Sequence, residues 1–183
     1  MKLRAATSAD AAAIADIYAP FVTASTVSFE TEAPDAAAMR ARIEAAGDLY
    51  PWLVGEAADG TILGYAYAAA FRTRPAYRFA VETTIYLRPE ACGAGFGELL
   101  YRGLLATLAV QGFTQAIAAI TLPNPASIRL HERLGFVAAG TYRQVGWKLE
   151  AWHDVGLWQR SLAAPATPPA EPSPPPAPSL RGA

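Results

Sequence analysis

The sequence predicts an α/β domain built on a mixed sheet, and three observations carry that prediction. Segments of two-residue alternation and segments of helical periodicity follow one another along the chain. Two apolar runs meet at Asp59-Gly60, a hairpin turn signal. The last 21 residues, from Ala163, hold eight prolines and no aromatic residue, so they cannot bury enough surface to offset their ordering entropy. The 183-residue chain therefore reads as one domain, 1–162, followed by a Pro/Ala-rich disordered tail, 163–183.

Each element has its own local cause. "KLRAAT" is a short strand, and "TSAD" then sets Thr7 and Asp10 at capping-box spacing. Ile14, Ile17, Tyr18 and Phe21 recur at helical intervals, and a second helix is expected from Pro34 to Ala46 with proline at an early position. "YPWLVGEA" and "TILGYAYAAAF" form the hairpin. From Phe79 to Leu87 the chain alternates, with Val81, Thr83, Ile85 and Leu87 on one face and Ala80, Glu82, Thr84 and Tyr86 on the other. After a glycine-rich loop, Phe96, Leu99, Leu100, Gly103 and Leu104 mark one stripe of a helix that Gly112 ends. "FTQAIAAITL" is a buried strand. "NPAS" opens a last helix with Asn124 as N-cap and Pro125 at N1, closed by Gly135. Strands near Phe136–Tyr142 and Asp154–Arg160 finish the domain.

Composition removes several function classes. A net charge of −1 gives no broad attraction to nucleic acid or anionic lipid. No apolar run approaches the roughly 18 residues of a membrane span. "MKLRAATSAD" lacks the apolar core of a signal peptide, so a cytoplasmic protein is expected. With one cysteine, Cys92, and two histidines, no disulfide and no metal site are expected.

The chemistry begins at "RPEACGAGFGELLY", where Gly93, Gly95 and Gly97 precede a helix. Strand, glycines and helix together can hold an anion: bare backbone approaches closely, and the helix's positive end adds attraction. A nucleotide P-loop needs Lys followed by Ser or Thr, and Glu98-Leu99 stand there instead. A dinucleotide fingerprint needs an acid about 20 residues further on, and none occurs between Glu98 and Glu132. A different pyrophosphate ligand and a plain glycine-rich turn both remain open on the loop alone.

The order "VETTIYL", "CGAGFG" and "LPNPASIRLHERLGF" resembles the GNAT superfamily of acetyl-CoA-dependent N-acetyltransferases. With "STVSFETE", "YPWLV", "FRTRPAY" and "VGWKLEAWHDVGLWQ", it is similar to the phosphinothricin (glufosinate) and methionine sulfoximine acetyltransferases, from Leu3 to Leu162. The resemblance implies a GNAT fold with a mixed, mostly antiparallel central sheet flanked by helices. It implies acetyl-CoA as cosubstrate, a homodimer, and direct transfer to the α-amine of phosphinothricin or a similar analogue, hence herbicide resistance. One position departs from the family pattern. GNAT loops usually carry Arg or Gln where this chain has Cys92, and Ala94 stands where arginine is also common. Losing such a charge-assisted contact costs about 1.5–3 kcal/mol, so weaker CoA binding is expected.

Backbone amides at Gly93, Ala94, Gly95, Phe96, Gly97 and Glu98 need no side chain to bind phosphate. The resemblance adds Ile85, Tyr86, Leu87 and Asn124 as CoA contacts. An ammonium has no lone pair, so acetyl transfer needs a base, and the thiolate that leaves can need an acid. Glu82, mid-strand before the loop, matches the family's proposed base; a lone strand glutamate would otherwise be a solvated residue. His131, seven residues after Asn124, matches the acid position, or is a histidine packed near a helix end. Arg72 and Arg74, read as alternate residues of one strand, would form a fork for an oxyanion, or a basic edge against aggregation. The resemblance favours them as substrate ligands together with Thr73, Tyr77 and Phe29. Two rivals remain: acetylation of a polyamine, aminoglycoside or protein N-terminus, and an acyl-CoA-binding module without turnover.

Overall fold

The computed structural model describes residues 2–164 and 166–175. Seven strands form one sheet: β1 (Lys2–Ala5), β2 (Trp52–Glu56), β3 (Ile62–Ala70), β4 (Ala80–Leu87), β5 (Gln115–Thr121), β6 (Val137–Lys148) and β7 (Ala151–Ser161). Their spatial order is β1-β2-β3-β4-β5-β7-β6. Every neighbouring pair is antiparallel except β4 and β5, which run parallel. The helices are α1 (Ala11–Thr23), α2 (Ala36–Ala46), α3 (Phe96–Gln111) and α4 (Pro125–Arg133). The expected mixed, mostly antiparallel sheet flanked by helices is the one observed.

The alternation read along β4 holds to its end. Val81 is buried with Leu100, Leu104 and Leu108 of α3, and Ile85 and Leu87 pack against the same cluster. Tyr86 belongs to the opposite cluster, with Ile14 and Tyr18 of α1 and Met39 of α2. A leucine taken fully out of water contributes about 1.5–3 kcal/mol, so the α3 leucines anchor one face of the sheet.

The caps follow the sequence closely. The Thr7 amide donates to Asp10 Oδ2 at 2.8 Å, and that carboxylate also receives an Arg4 fork at 2.7 Å on each oxygen. Asp35, not Pro34, caps α2, accepting from the Ala38 amide at 2.8 Å, so the helix starts two residues later than expected. Asn124 accepts from Ser127 N–H at 3.1 Å, and Gly112 ends α3 in the left-handed region at φ 94°.

Three expectations are corrected. The buried stripe of α3 runs through Gly97, Leu100, Tyr101, Leu104, Leu105 and Leu108, while Leu99 is 48% exposed. Gly97 faces the sheet at the start of this stripe, where a Cβ would lie 2.9 Å from Leu87 Cδ1. The last two strands are longer than read, because the chain reverses tightly at Leu149 and Glu150, with φ of 49° and 59°. The chain also leaves the sheet at Ala70, so Arg72 and Arg74 lie in a bend and share no strand face.

Of the expected tail, 176–183 lie outside the described residues. Residues 166–175 carry no helix or strand. Glu171 takes a fork from Arg78 at 2.7 and 2.6 Å, and the Ser173 amide donates to Gln111 O.

Candidate active site

The site begins where two parallel strands stop pairing. β4 and β5 are in register only at Ala80–Glu82 against Gln115–Ile117. Beyond that point β4 stays with β3 as far as Leu87, and β5 stays with β7 as far as Thr121. The sheet therefore opens, and the β5-facing edge of β4 keeps backbone groups without a strand partner. The inner end of the opening is lined by Thr83, Thr84 and Ile85 on one side and Ala118 to Thr121 on the other, with Asn124, Ser127 and His131 closing it. Outward it runs into a groove of about 350 Å³ between Ile85–Leu87, the glycine loop and the start of α4.

The loop glycines have two separate causes. Gly93 and Gly95 sit at φ 81° and 82°, a region that L side chains enter at a cost of about 1–2 kcal/mol. A Cβ on either would touch nothing, so conformation favours glycine there, whereas at Gly97 a Cβ would press on the Leu87 Cδ1 methyl. The first helical bond of α3 runs from Leu99 N–H to Gly95 O, leaving the amides of Phe96, Gly97 and Glu98 without a helical acceptor. Gly93, Gly95, Gly97 and Glu98 line the groove, as do Ile85, Tyr86, Leu87 and Asn124. Ala94 and Phe96 belong to the same turn without lining it.

Glu98 would oppose an anion at this helix end, but two arginines meet it. Arg102 reaches Oε1 at 2.8 Å and Arg133 reaches Oε2 at 3.4 Å, holding the carboxyl below the usual carboxylate range. Arg133 also lines the groove, as Cys92 does, so α4 brings a cation to a groove whose loop carries none. Sequence reasoning missed it because its role depends on α4 packing beside the loop, not on the loop itself. Phe21, Val27 and Ser127 were missed likewise. Phe21 packs on the Tyr86 ring at 4.9 Å, and Val27 lines both parts of the opening.

His131 is buried, 3% exposed, in a polarised chain of bonds. Its Nδ1 is 2.8 Å from Ser127 O, which can only accept, so Nδ1 carries the proton. Nε2 then accepts from Tyr101 Oη at 3.0 Å, and Thr83 Oγ1 stands 2.7 Å from that hydroxyl. Burial pushes the imidazole below its ordinary value, so it is neutral at neutral pH. In this state its proton is engaged with a carbonyl. It can serve as an acid only by exchanging that partner.

Glu82 lies next to Thr83 and projects to the other face, with Thr84 and Tyr86. Desolvation pushes its carboxyl up, and the nearby Arg72 charge pulls it partly back. Arg72 rests on the Phe71 ring at 4.6 Å, and Tyr77 meets the same ring edge-on at 5.7 Å. Arg72, Thr73, Arg74 and Tyr77 are exposed. Phe29 lies apart from them, against the β6–β7 hairpin, with its ring 6.3 Å from that of His153. His131 lines the inner end of the opening, whereas Glu82 stands at the last paired position of β4 and β5, projects to the other face of the sheet, and is not among the residues lining either part of the opening. Among the described residues no group of three His, Cys, Asp or Glu is placed to hold a metal ion, and no helix is long and apolar enough to cross a membrane.

Comparison with known proteins places this geometry. The profile of the acetyltransferase (GNAT) domain matches residues 3–157. A phosphinothricin N-acetyltransferase of Streptomyces viridochromogenes is 44% identical over 168 residues, 92% of this chain and 91% of that protein. An L-methionine sulfoximine/L-methionine sulfone acetyltransferase of Salmonella typhimurium is 35% identical, covering 92% of this chain and 98% of its own. A phosphinothricin acetyltransferase from Sinorhizobium meliloti, solved in complex with AcCoA, superposes with a TM-score of 0.87 at 39% identity, covering 94% of this chain and 92% of that one.

Proposed function

The chain belongs to the GNAT family of acetyltransferases, and from that premise we propose that it acetylates the α-amine of a small acidic amino-acid analogue. Phosphinothricin and methionine sulfoximine or sulfone are the acceptor types, and acetyl-CoA is the cosubstrate. The observation that carries the reading is the opening between β4 and β5, with the glycine loop at its outer end and Glu82 at the last paired position before the strands separate. Acetyl-CoA supplies an activated acyl group as a thioester; the protein's part is to bind, orient and move protons.

The residues present suit that cosubstrate. Amides from Gly93 to Glu98 meet the diphosphate, with Arg133 as the nearby cation. The free edge at Ile85–Leu87 and the Asn124 turn hold the pantetheine arm. Glu82 takes a proton from the acceptor's ammonium, directly or through water, and its raised pKa suits a base at neutral pH. Arg72, Thr73 and Arg74 receive the acceptor's acidic groups with Tyr77 beside them, and Phe29 bounds the acceptor separately, from the β6–β7 side. An acidic acceptor fits the exposed Arg72 near Glu82, with Arg74 in the same bend, better than a polyamine or an aminoglycoside does.

His131 acts as the acid towards the departing sulfur only as the imidazolium: once Nε2 has taken up a proton and Nδ1–H has left Ser127 O, it gives that proton to the thiolate and returns to the neutral ring. The bonded chain from Thr83 to Ser127 favours a second reading, in which His131 positions the α4 start. The enzyme works as a homodimer in the cytoplasm, with the outer face of the β6–β7 hairpin as the contact. Val145, Trp147 and Trp152 there are 54%, 58% and 58% exposed, an apolar patch of the kind that marks a protein–protein contact.

Replacing Glu82 with Gln tests the reading. With phosphinothricin or methionine sulfone as acceptor and thiol release as the signal, kcat should fall ~10²-fold or more while CoA affinity holds. Unchanged turnover removes Glu82 from its role. Turnover of polyamines but not of acidic amino acids overturns the acceptor class.

A further inference from the structure

The segment Ser28–Glu30 is fixed at each of its three residues, and two of the fixing groups stand on the inner face of β6. Lys148 Nζ donates to Ser28 O at 2.6 Å. Tyr18 Oη meets Ser28 Oγ at 2.6 Å and donates to Glu30 Oε1 at 2.9 Å. Arg42 forks onto the Glu30 carboxylate at 2.7 and 2.8 Å. Phe29, between them, has its ring where a side chain of residue 146 would be. A Cβ on Gly146 would lie 2.2 Å from Phe29 Cζ and 2.3 Å from Cε2. Gly146 and Lys148 are buried two residues apart, as one strand face requires, while Val145 and Trp147 point out.

We infer that Gly146 is a specificity-determining residue: its missing side chain is the seat of Phe29, and that seat sets the wall of the acceptor side. The inference rests on the acceptor reading above. Val27, two residues before Phe29, already lines the opening together with Thr83 and Thr84, so the seat of the ring stands two residues along the chain from the reacting face. The backbone of Gly146 is outside the left-handed region, so alanine fits its conformation and the displaced group is the ring. Phe29 is 38% exposed and has solvent to swing into, so the cost falls on acceptor recognition rather than on folding.

The experiment is a double-mutant cycle of Gly146→Ala and Phe29→Ala. In the wild-type background Gly146→Ala should lower kcat/KM for the acceptor about 10²-fold, mainly through KM, with CoA affinity and Tm unchanged. In the Phe29→Ala background the same substitution should do nothing further. Equal effects in both backgrounds, or none in the first, overturn the inference. A second readout needs no turnover. The Phe29 and His153 rings are neighbours, and His153 is one of two histidines, so Gly146→Ala should shift the His153 ring-proton resonances and leave those of His131 in place. Unmoved His153 signals overturn the seat itself. Shifted signals in a protein that acetylates no acidic amino acid overturn the acceptor reading instead, and the inferred specificity role with it.

Discussion

Tyr101 Oη stands 3.0 Å from His131 Nε2, so one hydroxyl joins α3 to α4 beneath the opening. Both groups are buried, and the partner left by a deletion would stay unsatisfied. Tyr101→Phe should therefore cost about 1–3 kcal/mol in urea unfolding. The His131 reading makes a further distinction. If His131 is an acid, His131→Asn lowers kcat by ~10²-fold and removes a limb of the kcat–pH profile. If it positions α4, the variant raises KM for acetyl-CoA and keeps the shape of the profile.

Glu82 and Arg72 make a pH prediction whose sign is fixed. The Arg72 charge favours ionised Glu82 against a larger desolvation effect. Arg72→Gln removes that support, so the carboxyl rises further and the acid limb of kcat/KM moves to higher pH. A limb that stays in place, or moves down, separates Arg72 from the base. Stability follows the same logic. A carboxyl raised by burial makes its ionised form a cost to folding at every pH above its unfolded value. Glu82→Gln should match or exceed the wild-type Tm at pH 7, and that gain should disappear below about pH 4.

Cys92 and Arg133 share one end of the groove, and they predict opposite changes. Cys92→Arg restores a charge-assisted contact to the loop and should tighten CoA by roughly tenfold or more, at about 1.4 kcal/mol per decade. Arg133→Ala should weaken it, with the loss shrinking as salt rises, because the residue is exposed. Calorimetry with CoA at two ionic strengths checks both. If Arg133→Ala leaves affinity unchanged at low salt, its charge serves Glu98 alone.

The parts of this site that were legible in the sequence are those with a local cause. Gly93 and Gly95 were legible because a left-handed backbone needs glycine whatever surrounds it. Asn124 was legible because a cap sits next to the helix it caps. Glu82 was placed on its face by strand alternation alone. The rest depends on packing. Tyr101 fell outside the expected stripe because the rotation of α3 is set by its packing on the sheet, which turns Gly97, Tyr101 and Leu105 inward. Arg72 and Arg74 were put on a strand because nothing local marks its end at Ala70. Arg133 gains its role only when α4 lies beside the loop.

The β6–β7 turn is the most instructive miss, and it predicts a stabilising change. Leu149 and Glu150 both adopt positive φ at a two-residue turn, where Asn-Gly would be the usual pair. Their side chains are solvated, so no buried packing is lost on replacement. Leu149→Asn with Glu150→Gly should stabilise the domain by about 1 kcal/mol or more, since L side chains at left-handed positions cost that much. A fall in Tm would mean that the two side chains make a contact in solution that outweighs the strain.

That contact would be with a second subunit, which brings the last prediction. Trp147 and Trp152 pair across the hairpin as register partners, with rings 5.3 Å apart, and both remain more than half exposed. An aromatic pair flanked by Val145 and Leu149 on an edge hairpin would, without a partner, invite uncontrolled association. Trp152→Lys places a charge in the middle of the patch and should convert the protein from dimer to monomer in sedimentation velocity, leaving CoA affinity intact. A wild-type protein that sediments as a monomer over the micromolar range would remove the dimer. A Trp152→Lys variant that stays dimeric would move the interface elsewhere on the surface. If the variant becomes monomeric and its acceptor KM also rises, the hairpin transmits assembly to Phe29 through Gly146, since the same strand carries the outer tryptophan and the inner seat.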